Sequence, residues 1–178
     1  MRQAVEKAKE TYKRYGTTNP AILARALGIC VLEEELAGRV REIYFGDSIV
    51  IRKDMTPAEK RAMLAHALGH HFMHAGNHLA MQKRVYSFGN RHEKQADVFA
   101  ACFLVPEDHL EEELAKKLPV HELAECFGVT ESLIRFRLII RRNLLGQAEE
   151  NAAIEESERQ FKRGEVKPEE ELFRLLGA

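Results

Sequence analysis

His66 and His70 lie four residues apart in a stretch whose apolar spacing predicts a helix over 57–75. Asp54 or Thr56 is placed to cap that helix, and Pro57 suits its first turn. Side chains at i and i+4 leave a helix on one face, a turn apart, so both imidazoles can reach one small cation. Zinc is the usual ion at this spacing. The demand on the fold is strong. A catalytic zinc takes three protein ligands and keeps a position for water. The helix must therefore be packed centrally, through Leu64, Leu68, Phe72 and Met73, against an element that delivers a third ligand.

That element is expected in the helix over Arg91–Leu104, which ends before Pro106. Glu93 is the expected third ligand. Asp97, one turn on, is expected to orient a ligand histidine by accepting its other N–H. His74 continues the i+4 series, but a helix drifts in angle over that distance. Its expected place is behind the ligands or as a charge at the helix end. His71 is expected to be exposed, His78 and His92 to lie in or beside a loop at 76–90, and His109 and His121 to be surface residues. Taken alone, H-x-x-x-H also fits a histidine-rich surface helix without metal. Glu93 with Asp97 favours the metal site.

The other elements frame this pair. Residues 2–15 read as an amphipathic helix, and Asn19-Pro20 opens a second one, with Ile22, Leu23, Ala26 and Leu27 on one face and Gly28 past its end. Ile29–Glu35, Arg39–Phe45 and Ser48–Ile51 are rich in β-formers, with Ala37-Gly38 and Gly46-Asp47 between them. They read as a three-stranded antiparallel meander. Pro106 begins a short helix to about Lys117, and Pro119–Leu145 is a helical pair around Gly128. After Gly146 the chain turns acidic, which suits a solvated helix, a turn at Gly164–Pro168 and a short docking helix at 172–176. The expected fold class is α+β, a small antiparallel sheet against a mainly helical core. Its expected parts are 1–118 as the metal-bearing domain, 119–146 as a helical hairpin, and 147–178 as an acidic helical tail.

The 178 residues suffice for one domain and a real core. A formal net charge of −1 gives no global attraction to nucleic acid or membrane. Cys30, Cys102 and Cys126 are well separated and form no CxxC, which suits reduced thiols in a cytoplasm. No membrane-spanning apolar run and no signal peptide are visible.

In zinc proteases the histidine pair usually reads H-E-x-x-H, with the glutamate as general base. Here the second position is Ala67. The wider pattern resembles the ImmA/IrrE metallo-endopeptidases, a gluzincin-like family. The resemblance is carried by the strand ending in Ile49–Ile51, by Thr56-Pro57-Ala58-Glu59-Lys60-Arg61, and by His66-Ala67-Leu68-Gly69-His70-His71-Phe72-Met73-His74. It continues in Glu93-Lys94-Gln95-Ala96-Asp97-Val98-Phe99-Ala100-Ala101 and Phe103-Leu104-Val105-Pro106, and spans about residues 20–140. It implies a small peptidase that binds zinc through His66, His70 and Glu93 and cleaves a helix-turn-helix repressor of a mobile element, phage or stress regulon, relieving repression. It also implies a catalytic glutamate where Ala67 stands, so impaired catalysis is expected. A silencing substitution and a naturally non-cutting relative are both open. The competing function is a non-catalytic zinc-binding regulator that binds a repressor or DNA.

Val120–Leu138 has the spacing of a helix-turn-helix: Ala124 as the small residue, Gly128 at the turn, then Val129 and Ile134. Thr130 would cap the second helix, and Arg135, Arg137, Arg141 and Arg142 would meet phosphates. Glu122, Glu125 and Glu131 oppose that, and a hairpin packed on the core is the plainer reading.

Overall fold

A computed structural model describes residues 1–38, 40–45, 47–73 and 89–162, omitting the side chains of 89–90 and 147–162. Among the described residues, seven helices and three strands follow the chain. The order is α1 (Arg2–Tyr15), α2 (Pro20–Ala26), β1 (Cys30–Glu34), β2 (Glu42–Phe45), β3 (Ser48–Arg52), α3 (Pro57–Met73), α4 (Gly89–Leu104), α5 (Glu107–Ala115), α6 (Val120–Phe127) and α7 (Glu131–Lys162). The fold class is α+β. The chain divides into two compact units, Met1–Arg137 and Leu138–Ala178.

The sheet is mixed, not the antiparallel meander expected. β3 lies in the centre, with β2 antiparallel on one side and β1 parallel on the other. The reason lies in burial. Ile49 and Ile51 of β3 are almost fully buried, which places that strand in the middle. The segment between β1 and β2 does not close a hairpin. Arg52 donates to the carbonyls of Leu36 and Gly38, holding that segment away from a tight turn. Opposite Ile51 and Ile49, the register sets Glu42 and Tyr44 of β2 on the same inward face.

Helix α3 starts at a reciprocal cap. The Thr56 N–H and hydroxyl both donate to Glu59 Oε2 at 2.9 Å, and Glu59 N–H returns to Thr56 Oγ1 at 3.3 Å. Leu64 and Leu68 are buried, while Phe72 and Met73 are half-buried. Phe72 stacks on Phe99 of α4, which stacks on Phe103. The backbones of α3 and α4 approach closely at Gly69. A Cβ there would stand 2.9 Å from both Cα and O of Ala96, so only glycine lets the two backbones meet. The alanines Ala4 and Ala8 of α1 are wholly buried, giving that helix a flat small-residue face.

Elsewhere, α2 is capped by Asn19, which accepts from Ala21 and Ile22 N–H. It buries Leu23 and Ala24, whereas Ile22, expected on the inner face, is 56% exposed. The expected end at Gly146 is also corrected, because α7 runs on to Lys162. One glycine costs a helix only about 1 kcal/mol, and the strong helix formers around it outweigh that. The expected loop at 76–90 lies outside the described residues except for Gly89 and Asn90, which begin α4; the turn and docking helix beyond 162 lie outside them too.

Candidate metal centre

The backbone contact at Gly69 brings the buried face of α3 against the first turns of α4. His66 and His70 are each 8% exposed, and their Nε2 atoms face one another at 3.0 Å. Glu93 reaches both, with Oε2 3.3 Å from His66 Nε2 and Oε1 3.4 Å from His70 Nε2. On the far side of the His66 ring, Nδ1–H donates to Asp97 Oδ1 at 2.8 Å. That bond makes Nδ1 the donor to Asp97 and turns Nε2 toward the cluster.

A fourth group enters from the sheet. Glu42 of β2 places Oε1 3.8 Å from His66 Nε2. Ligand atoms of Glu42, His66 and His70 lie within 4.8 Å of one another, making these residues a candidate metal-binding group. Glu42 was missed in the sequence because its inward direction depends on pairing with Ile51. The alternation of Glu42 and Tyr44 with Ile43 and Phe45 was the available signal, and it does not tell which face is buried.

The electrostatics suit a cation. Burial disfavours a charged His66, but the carboxylates of Asp97 and Glu93 outweigh it and hold its pKa up at about 10. Hydrogen bonds from His66 and His70 hold the Glu93 carboxyl well below its ordinary range. Burial pushes the Glu42 carboxyl up, against the pull of both histidines. Among the described residues Glu42 Oε2 is buried and finds no hydrogen-bond donor. Two imidazole nitrogens aimed at each other between carboxylates, with one oxygen left over, form a donor set that a divalent cation satisfies.

Ala67, where a glutamate was sought, is fully buried and brings no polar atom. His71 is half-buried, not exposed as expected, because its Nδ1 lies 2.6 Å from the Tyr44 hydroxyl. This contact fastens β2 to α3 beside Glu42. His74 and His78 lie outside the described residues, and His92 is half-buried. His109 is exposed, as expected, with its Nε2 3.3 Å from Tyr12 Oη. His121 is exposed beside Glu122.

The arginines proposed for phosphate differ in placement. Arg137 is 3% exposed and donates to Val105 O and to Glu107, so its guanidinium is built into the interior and is withdrawn from any phosphate. Arg135 is exposed and paired with Glu131 at 3.1 Å. Arg141 is half-buried and Arg142 exposed. Gly128 takes the left-handed conformation that ends α6, and Thr130 Oγ1 accepts from Leu133 N–H at the start of α7. Beside His66 and Asp97 opens a cavity of about 370 Å³, whose walls include Met55, Met63, Leu133 and Phe136, with Arg41 also lining it.

A curated relative is the "Uncharacterized immunity region protein 2" of Bacillus phage phi105, 27% identical over 130 residues, covering 70% of this chain and 82% of that protein. The sequence profile of the Peptidase_M78 family, described as the IrrE N-terminal-like domain, matches residues 24–139, a span that takes in the sheet, both histidines, Glu93 and Asp97. The chain belongs to the Peptidase_M78 family.

Proposed function

We propose that the chain is a zinc-dependent endopeptidase of regulatory type, acting on a helix-turn-helix transcriptional repressor to relieve repression in a mobile element, phage or stress regulon. One observation carries the metal part of this reading. Zinc held at about 2.0–2.1 Å by nitrogen and oxygen donors in a tetrahedron has donor–donor edges of about 3.3–3.4 Å. Glu93 lies 3.3 Å from His66 Nε2 through Oε2 and 3.4 Å from His70 Nε2 through Oε1, and the two Nε2 atoms are 3.0 Å apart, somewhat inside such an edge. These three residues would hold the ion, and Asp97 would keep His66 in the right tautomer.

Bound zinc would polarise the scissile carbonyl and make water more acidic. The chain's own groups do the rest. Glu93 balances the charge, and the cavity beside His66 fits an apolar substrate side chain against Met55, Met63, Leu133 and Phe136. The repressor part is supported by the family and by the phage immunity-region name of the relative. Ala67 favours a second reading, a zinc-binding regulator that captures the repressor without cutting it.

The test is to load the protein with zinc and incubate it with a panel of helix-turn-helix repressors from phage, mobile-element and stress regulons. Discrete fragments whose formation 1,10-phenanthroline blocks are the expected result. Stable capture without fragments, persisting in Ala67→Glu, would leave the binding regulator as the function. Neither capture nor cleavage would remove the repressor as partner.

A further inference from the structure

Helix α3 brings no carboxylate to the centre from position 67, but strand β2 brings one from the opposite side. Glu42 sits on the inward face of β2 with its side chain 18% exposed. The Tyr44 hydroxyl, 2.6 Å from His71 Nδ1, clamps the strand to the helix two residues away. This contact holds the strand that carries Glu42 against α3.

The distances sort the four donors into three and one. His66 and His70 stand 3.0 Å apart at Nε2, and Glu93 reaches them at 3.3 and 3.4 Å with one oxygen each. Glu42 Oε1 is 3.8 Å from His66 Nε2, longer than the edge of about 3.3–3.4 Å that zinc ligation sets. Glu42 Oε1 is thus the most distant of the four groups from His66 Nε2, and it borders the place that a water beside the ion would take. Among the described residues its other oxygen, Oε2, is buried and meets no donor, so Oε1 is the oxygen turned to the histidine pair.

We propose that Glu42 is the general base of peptide hydrolysis at this centre, supplying from the sheet the proton acceptor that Ala67 does not supply from the helix. This rests on the peptidase reading given above. In the step, the water oxygen bonds to the scissile carbonyl carbon while Glu42 takes one of its protons. The C–N bond then breaks, and that proton passes from Glu42 to the departing amine nitrogen. A carboxylic acid and an amine leave, and Glu42 is again a carboxylate. Atoms and charge balance, and no co-reactant beyond water is required. A glutamate at position 67 would put a third carboxylate on a site that already holds Glu42 and Glu93.

The experiment compares four full-length proteins: unaltered, Glu42→Gln, Ala67→Glu, and the double variant. Zinc affinity is read by competition with a chromophoric chelator. Geometry at the ion is read from the visible absorption of the cobalt(II) form, folding from circular dichroism, and cleavage on the same panel of helix-turn-helix repressors. The expected result is cleavage by the unaltered protein. In Glu42→Gln, zinc affinity and the cobalt spectrum should be unchanged while the cleavage rate falls by about 10²–10⁴-fold. The double variant should regain cleavage, because position 67 then carries the carboxylate. If Glu42→Gln loses zinc affinity or shifts the cobalt bands, Glu42 is a ligand and the proposal is overturned. Cleavage by Glu42→Gln at the unaltered rate overturns it too. Cleavage by Ala67→Glu alone, with the unaltered protein inert, overturns the role of Glu42 and leaves the peptidase reading standing. Inertness of all four proteins overturns the peptidase reading, and Glu42 as base falls with it.

Discussion

Asp97 touches no proposed zinc donor atom, yet it holds the Nδ1–H of His66 at 2.8 Å. Losing such a partner typically weakens metal affinity about 10–100-fold, which is the expectation for Asp97→Ala in a chelator competition. Glu93→Ala removes a donor outright, so elemental analysis of that variant should find no stoichiometric zinc. Full zinc in it would pass the third-ligand role to Glu42. The clustering of these residues was legible because each pair obeys a local rule: His66 with His70, and Glu93 with Asp97, are i and i+4 on their own helices. Glu42 obeys no local rule, since its direction is decided by a strand pairing. Cys102 belongs to this scale as well. Burial raises its thiol to about 11, while Cys30 and Cys126 are exposed. Iodoacetamide at pH 8 should label Cys30 and Cys126 and spare Cys102, since only the thiolate reacts. Labelling of all three at equal rates would contradict its burial.

Among the elements, α3 depends on two local devices. Thr56 and Glu59 close its first turn. Thr56→Ala should cost about 1 kcal/mol in urea unfolding, the usual loss for a threonine cap. An unchanged midpoint would mean that tertiary packing alone holds the turn. Gly69 is the second device. Gly69→Ala drives a methyl to 2.9 Å from the Ala96 backbone and should cost about 1–3 kcal/mol as the helices part. Zinc affinity should fall with it, because the histidines and Glu93 are on opposite sides of that contact. Helix positions were readable from period and caps, and α1, α3 and α4 lie close to where periodicity put them. The sheet order was not readable. Turn signals say where strands stop, whereas neighbour choice follows from which strand is most buried, and β3 prevailed through Ile49 and Ile51. Gly146 misled in the other direction, because a helix with enough favourable neighbours absorbs one glycine.

At the scale of the whole molecule, the residues of the candidate centre all belong to the unit Met1–Arg137. Among the described residues no helix is long and apolar enough to cross a membrane. A chain ending at Gly146 should keep about one zinc per molecule with unaltered affinity, as expected for a site built wholly elsewhere. Lost zinc in a folded truncation would tie the acidic segment to the centre. The contact of Gly69 with Ala96 also bears on how an ion would arrive. With two backbones already in contact there, the helices that carry the donors have no gap at that point for a cation to close. The ion therefore meets a receptor already in shape. Loading should be a simple second-order encounter, its observed rate linear in zinc concentration and free of the plateau that a rate-limiting rearrangement imposes.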